Sequence, residues 1–91
     1  MNEPLQIAIQ ATPNPNAAKF VLNRVVATQG KTYRDAATAD VTWAGALLGI
    51  AGVTQVFALN NFISINKTPE ADWNTIGPQA EEILRRAFAE E

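Results

Sequence analysis

Residues 52–67 constrain this chain more than any other stretch. Two apolar runs rich in β-branched and aromatic residues, 53–59 and 62–65, flank the pair Asn60-Asn61. Asparagine tolerates positive φ, so the pair suits a tight two-residue turn, and the segment reads as a β-hairpin. With Leu59 opposite Phe62, side-chain alternation puts Val56, Ala58, Ile63 and Ile65 on one side. Gln55, Phe57, Leu59, Phe62, Ser64 and Asn66 fall on the other. The first side is small and aliphatic, as a surface under helices should be. The second mixes large apolar groups with amides, which suits either a half-covered sheet surface or a docking surface.

The flanking sequence supplies the rest of a sheet. Residues 5–11 alternate, with Leu5, Ile7 and Ile9 on a face expected to be buried. Pro13 and Pro15 each fix their own φ and restrict the residue before them, so Thr12 to Asn16 should form a stiff connection, with Asn16 free to close an Asx-turn. Residues 18–26 read as a second strand with Phe20 and Leu22 on one face and Lys19, Val21 and Asn23 on the other. Gln29-Gly30-Lys31 is a turn signal, and residues 31–34 a short third strand. Residues 36–39 read as loop. Asp40 is expected to cap a helix over 41–51, whose Trp43, Leu47 and Leu48 recur at helical spacing, with Gly52 in a left-handed conformation after it. Thr68-Pro69-Glu70 reads as the start of a second helix, with Trp73, Ile76, Ala80, Ile83, Leu84 and Phe88 as its apolar stripe. Gly77-Pro78 is expected to kink it or to split off a short first turn. Glu81 with Arg85 and Glu82 with Arg86 are i,i+4 pairs in the favourable order. The order β-β-(β)-α-β-β-α predicts an α+β fold, a two-layer sandwich of a mainly antiparallel sheet with two helices on one face. At 91 residues, one domain is expected over the whole chain.

Composition removes several functions. The sequence has no Cys and no His, hence no disulfide, thiolate nucleophile, imidazole base or soft metal ligand. A net charge of −2 gives no general attraction to nucleic acid or anionic lipid. The N-terminus lacks signal-peptide character and no stretch is long enough to span a bilayer, so a cytoplasmic protein is expected, without membrane association. Lys19, Arg24, Lys31 and Arg34 cluster with only Asp35 among them, as a solvated region or as a contact for an acidic partner.

Four pieces then combine: Thr12-Pro13-Asn14-Pro15-Asn16-Ala17 with Lys19-Phe20; Leu47 through Gly52-Val53; Val56-Phe57 with Phe62-Ile63 and Lys67; and Asp72-Trp73. Together they resemble the N-terminal domain of the Nfu/NifU-like iron–sulfur scaffold proteins, across nearly the whole chain. Val41-Thr42-Trp43-Ala44 stands where that family commonly has Ser-Pro-Leu-Ala. The resemblance implies an accessory or interaction module linked to iron–sulfur assembly. In full-length scaffolds the cluster is held by a Cys-x-x-Cys in a separate C-terminal domain, and this sequence has none, so cluster carriage is not transferred.

Two surfaces are candidate partner-binding sites. The loop of Pro13, Asn14, Pro15 and Asn16, with Lys19 beside it, is either a rigid recognition loop or a structural corner. The face of Phe57, Leu59 and Phe62 is a contact patch, or is covered by a loop such as residues 24–34, or carries scattered surface apolars, which are common. Trp43 and Trp73 lie on helical stripes and are expected in the core. Asp35 with Asp40, or Glu70 with Asp72, is a conceivable hard-cation site that helix-start electrostatics also explains. No catalytic, cofactor or metal residue is assigned, because no nucleophile–base pair or phosphate loop is present. The expected function is a non-enzymatic interaction module, partnered by iron–sulfur assembly proteins or client apoproteins, with a homodimer possible. A carboxylate-based iron-binding protein and a self-associating domain without an iron link are the alternatives.

Overall fold

The computed structural model describes residues 4–88. Five strands form one antiparallel sheet: β1 (Ile7–Ala11), β2 (Ala17–Leu22), β3 (Ala27–Tyr33), β4 (Val53–Asn60) and β5 (Phe62–Lys67), in spatial order β1-β2-β5-β4-β3. Two helices, α1 (Thr42–Leu48) and α2 (Trp73–Phe88), pack on one face. This is the predicted α+β two-layer sandwich.

The hairpin has the expected register. Leu59 lies opposite Phe62, Ala58 opposite Ile63 and Val56 opposite Ile65, and the turn is made by Asn60 at φ 55°. Val56, Ala58, Ile63 and Ile65 are all buried, beneath Ala44 and Leu47 of α1 and Ile76, Ala80 and Leu84 of α2. On β2, Phe20 and Leu22 join this core, with Phe20 opposite Ile63. Burying each of these large side chains is worth about 1.5–3 kcal/mol, so this one face supplies most of the driving force.

Several local expectations give way to tertiary contacts. Gln29-Gly30-Lys31 is not a turn: it lies inside the seven-residue strand β3, and the second strand ends at Leu22 instead of continuing to residue 26. A register irregularity between Ala27 and Lys31 lets β3 absorb the glycine. Residues 36–38 form a 3-10 turn, opened by Asp35, whose carboxylate accepts from the Ala37 amide at 2.9 Å. Asp40 does not cap α1. Its carboxylate pairs with the Lys31 ammonium and accepts from the Tyr33 hydroxyl at 3.1 Å, tying the end of β3 to the approach to α1, while Val41 occupies the cap position without a side-chain bond. The helix is also shorter than expected, ending at Leu48. Gly52 does take positive φ, at 95°, but within the turn leading into β4. A Cβ there would lie 2.6 Å from the Ala71 Cβ, so both backbone conformation and space demand glycine.

The second helix begins later than Thr68. Asp72 caps it, accepting from the Asn74 amide at 2.9 Å. Pro78 lies inside a continuous helix and does not split it. As the sixth helical residue it forfeits the bond its amide would make to the Asn74 carbonyl, and the helix runs on past it. Both i,i+4 pairs form, Glu81–Arg85 at 2.9 Å and Glu82–Arg86 at 2.8 Å. Arg85 also donates to the Leu5 carbonyl at 3.2 Å, holding the residues before β1. The expected buried face of β1 is only partly realised: Leu5 is buried, but Ile9 is 50% exposed because β1 is an edge strand. Both tryptophans are half-buried and packed against the core from its margin. Trp43 contacts Tyr33 edge-on at 6.0 Å and Phe88 at 5.5 Å between ring centroids.

Tyr33 titrates above the ordinary 10.0, first because it is buried and then because its hydroxyl donates to Asp40. A raised value means that its stabilisation is complete below the ordinary tyrosine range and is lost as pH rises through the folded value. Asp40 is held below its ordinary value, first by its bond to Lys31, so its contribution is present above the ordinary aspartate range and fades on acidification. Tyr33 is the only tyrosine, so phenolate absorbance should show one transition with an elevated midpoint. Asp40→Asn should lower that midpoint without restoring it, since burial remains. Gly52→Ala should cost about 1–3 kcal/mol in chemical denaturation, from positive φ together with the Ala71 overlap.

Candidate functional site

The sheet surface opposite the helices draws on all five strands, with β2 to β5 at its centre. Pairing of β2 with β5 puts Val21 opposite Phe62 and Lys19 opposite Ser64, and pairing of β3 with β4 puts Thr32 opposite Phe57. The centre is aromatic: the Phe57 and Phe62 rings are 6.1 Å apart at an interplanar angle of 45°. The Lys19 ammonium stands 4.4 Å from the centre of the Phe62 ring, a cation–π contact that holds the charge over the patch. Gly30 explains how Phe57 lies so close to the sheet. A Cβ on Gly30 would come 3.2 Å from the Phe57 Cζ, so the glycine leaves the floor on which the ring rests. Residues 24–34 therefore do not cover this face. Part of the segment is strand β3, which extends the face sideways, and Phe57, Leu59 and Phe62 remain half-buried.

Charge on this surface has one sign. Among the described residues, none of the six Asp and Glu residues lies in any of the five strands. Lys19 is joined at the opposite margin by Arg34, whose Nε donates to Gln55 Oε1 at 2.9 Å. The other two cations of the basic segment are elsewhere: Arg24 reaches the Phe88 carbonyl and Lys31 pairs with Asp40.

The loop of Pro13, Asn14, Pro15 and Asn16 belongs to a different corner. Thr12 Oγ1 has one proton to share between the carbonyls of Asn14 at 2.8 Å and Ala17 at 3.0 Å, and accepts from the Asn14 amide at 3.1 Å. The Asx-turn is made by Asn14, not Asn16: Asn14 Oδ1 accepts from the Asn16 amide at 2.9 Å. Asn16 Oδ1 instead accepts from Lys67 Nζ at 3.2 Å, and its carbonyl accepts from the Lys67 amide at 2.8 Å. Trp73 Nε1 donates to the Pro15 carbonyl at 3.0 Å. The loop is thus tied to the end of β5 and the start of α2, and both Asn side-chain oxygens are used internally. Asn14 stays exposed and Asn16 half-buried. The structure brings Lys19, Phe57, Leu59 and Phe62 onto one surface and sets the proline loop apart from them.

Val21, Gly30, Lys67 and Trp73 also contribute to these two surfaces, beyond the site residues expected from sequence, and Arg34 of the basic cluster joins the sheet face. The alternation of residues 18–26 already placed Val21 beside Lys19, but which strand lay next to which required the fold. The acidic pairs are taken up structurally, Asp35 and Asp72 opening helical turns and Asp40 bracing Lys31 and Tyr33. Among the described residues no three carboxylates gather where a metal ion could be held. Nor is any described helix long and apolar enough to cross a membrane.

The family model described as "Scaffold protein Nfu/NifU N terminal" matches residues 7–91. "Conserved virulence factor C" of Staphylococcus aureus (strain USA300) is 32% identical over 85 residues, which is 92% of this chain and 22% of that protein. The chain therefore spans about a fifth of the length of the curated relatives it matches. The crystal structure of protein SAV1430 from Staphylococcus aureus superposes with a TM-score of 0.78 at 28% identity, covering 87% of this chain and 98% of that one. The solution structure of a NifU-like protein from Saccharomyces cerevisiae gives a TM-score of 0.80 at 24% identity, over 94% of this chain and 82% of that one, and shares the fold.

Trp73→Phe keeps a ring at the proline corner and removes the donor to Pro15. The expected loss is about 0.5–1.5 kcal/mol in stability, with faster amide hydrogen exchange at Asn16 and Ala17 and little change on the Phe57–Phe62 face.

Proposed function

This chain belongs to the Nfu/NifU N-terminal scaffold family, and on that premise we propose that it is a non-enzymatic interaction module acting in the cytoplasm with iron–sulfur assembly proteins or their client apoproteins. The cluster is the partner's cargo in this reading. With neither Cys nor His in the sequence, the chain offers no thiolate or imidazole, and its donor set does not fit a resident cluster.

The observation that carries the proposal is the uncovered sheet face, where Phe57 and Phe62 lie side by side under the Lys19 ammonium. Aromatic groups flanked by cations supply the anchors and the orientation that a protein contact needs. Lys19 and Arg34 on a surface whose strands carry no carboxylate fit a partner with an apolar patch rimmed by Asp or Glu. A symmetric face-to-face homodimer would bring together the Lys19 and Arg34 of both copies with no strand carboxylate to offset them. A different protein is therefore the better occupant. The corner of Pro13, Asn14, Pro15 and Asn16 is a second, preordered contact, pre-paid in entropy by its internal hydrogen bonds.

Affinity capture from native lysate should recover iron–sulfur assembly or client proteins. Phe62→Ser should weaken that capture by about tenfold or more, the loss expected of a central aromatic anchor. Lys19→Glu should weaken it less, and should remove most of its dependence on ionic strength. Both positions lie outside the core, so the variants should stay folded. Recovery of unrelated proteins only, indifferent to Phe62→Ser and Asn14→Ala alike, would overturn the proposal.

A further inference from the structure

We propose that the outer edge of β1 is a docking site for an extended segment of a partner protein, which adds to the sheet as a sixth strand and sets its apolar side chains against the groove between β1 and α2. This site is separate from the Phe57–Phe62 face and does not depend on it.

The free hydrogen-bonding groups follow from the ladder. The Asn23 amide donates to the Gln6 carbonyl at 3.2 Å, and the register runs Ile7 to Leu22, Ala8 to Val21, Ile9 to Phe20 and Gln10 to Lys19. Antiparallel bonding alternates, so Gln6, Ala8 and Gln10 turn their amides and carbonyls toward β2. Those of Ile7, Ile9 and Ala11 turn outward. Among the described residues no backbone bond engages them. The usual protections of an edge strand are also missing from β1 itself. It contains no proline and no charged residue, and residues 4–18 as a whole carry no charge.

Beside this edge runs a groove of about 430 Å³ on the helix side, lined by Ile9, Ala11, Pro15, Phe20, Trp73 and Gly77 among others. Ile9 is 50% exposed at its mouth. Gly77 is buried, yet a Cβ on it would meet nothing within 4 Å, so the helix leaves space there for a side chain from elsewhere. An unpaired strand edge next to a helix-walled apolar groove is the arrangement by which strand addition works: main-chain bonds give affinity and alternate side chains give specificity.

The occupant follows from charge and area. Apart from Gln10, Thr12, Asn14 and Asn74 the groove lining is apolar, and none of it is charged, so a charged side chain entering it would lose water without meeting an opposite charge. The added strand should be aliphatic or aromatic at the positions facing the groove. A second copy paired through β1 alone would contribute five residues from each side, far short of the roughly 20–30 per side of a stable interface. A single extended peptide needs no such area.

The test titrates the isotope-labelled chain with the end-blocked peptide Thr-Val-Thr-Leu-Thr-Val-Thr, followed by amide shifts and hydrogen exchange. The expected result is shift changes at Ile7, Ile9, Ala11 and Gly77 and at the Trp73 indole, with slowed exchange at the three β1 amides. N-methylation of the peptide's leucine should weaken binding about tenfold, by loss of a ladder bond. Ile9→Pro removes an outward donor without touching the β2 ladder, and Gly77→Leu fills the groove. Each should weaken binding by a similar factor, while Phe62→Ser should leave it unchanged. Four outcomes would overturn the proposal: no response up to about 5 mM peptide, a range covering weak affinities; equal binding of the methylated peptide; a response confined to the Phe57–Phe62 face; or β1 protection in the free protein that disappears on dilution, meaning that a second copy holds the edge.

Discussion

The period-two alternation of the β4–β5 hairpin is the constraint on which the rest of this molecule depends. The turn at Asn60 places Leu59 across from Phe62, and every pair behind it follows. Because β5 is the middle strand, its inward residues Ile63 and Ile65 set the positions that Phe20 and Ala18 on β2, and Ala58 and Val56 on β4, must match. A slip of one residue would bring Phe57 and Phe62 beneath the helices and expose Ile63 and Ile65. That would exchange a close-packed aliphatic layer for bulky rings that α1 and α2 have no room to accept.

The same alternation divides the buried core from the half-exposed sheet face. Core residues lie on the helix side, where their contribution comes from burial alone. The opposite side holds Phe57, Leu59 and Phe62 half in water, with Lys19 over one ring and Gly30 beneath the other. Among the described residues the acids lie in helices, caps and loops, where Asp35 and Asp72 open helical turns, Glu81 and Glu82 pair along α2, and Asp40 holds Lys31 and Tyr33. A protein of net charge −2 thereby keeps a sheet face with positive margins.

The proline loop shows how a local rule and a tertiary contact share one job. Pro13 and Pro15 restrict the backbone by themselves. Where the corner points is decided by Trp73, Lys67 and the Asn16 carbonyl, contacts that span more than fifty residues of sequence. The corner faces α2 and borders the groove beside β1, away from the aromatic patch.

Strand alternation, the hairpin turn, the two amphipathic stripes and the family resemblance were legible in the sequence, because each rests on neighbours a few positions apart. Absence of cluster ligands was equally plain from composition. Local signals misled where a distant partner outbid them. Gly30 resembles a turn residue until Phe57 needs a flat floor, Asp40 resembles a cap until Lys31 and Tyr33 arrive beside it, and Pro78 resembles a break in α2, which nonetheless runs unbroken across the core. Strand order was decided only in three dimensions. Pairing β2 with β5 brings Lys19 to Phe62, and leaving β1 outermost exposes Ile9. Both outcomes depend on which strand edges meet, and alternation within a strand says nothing about its neighbour.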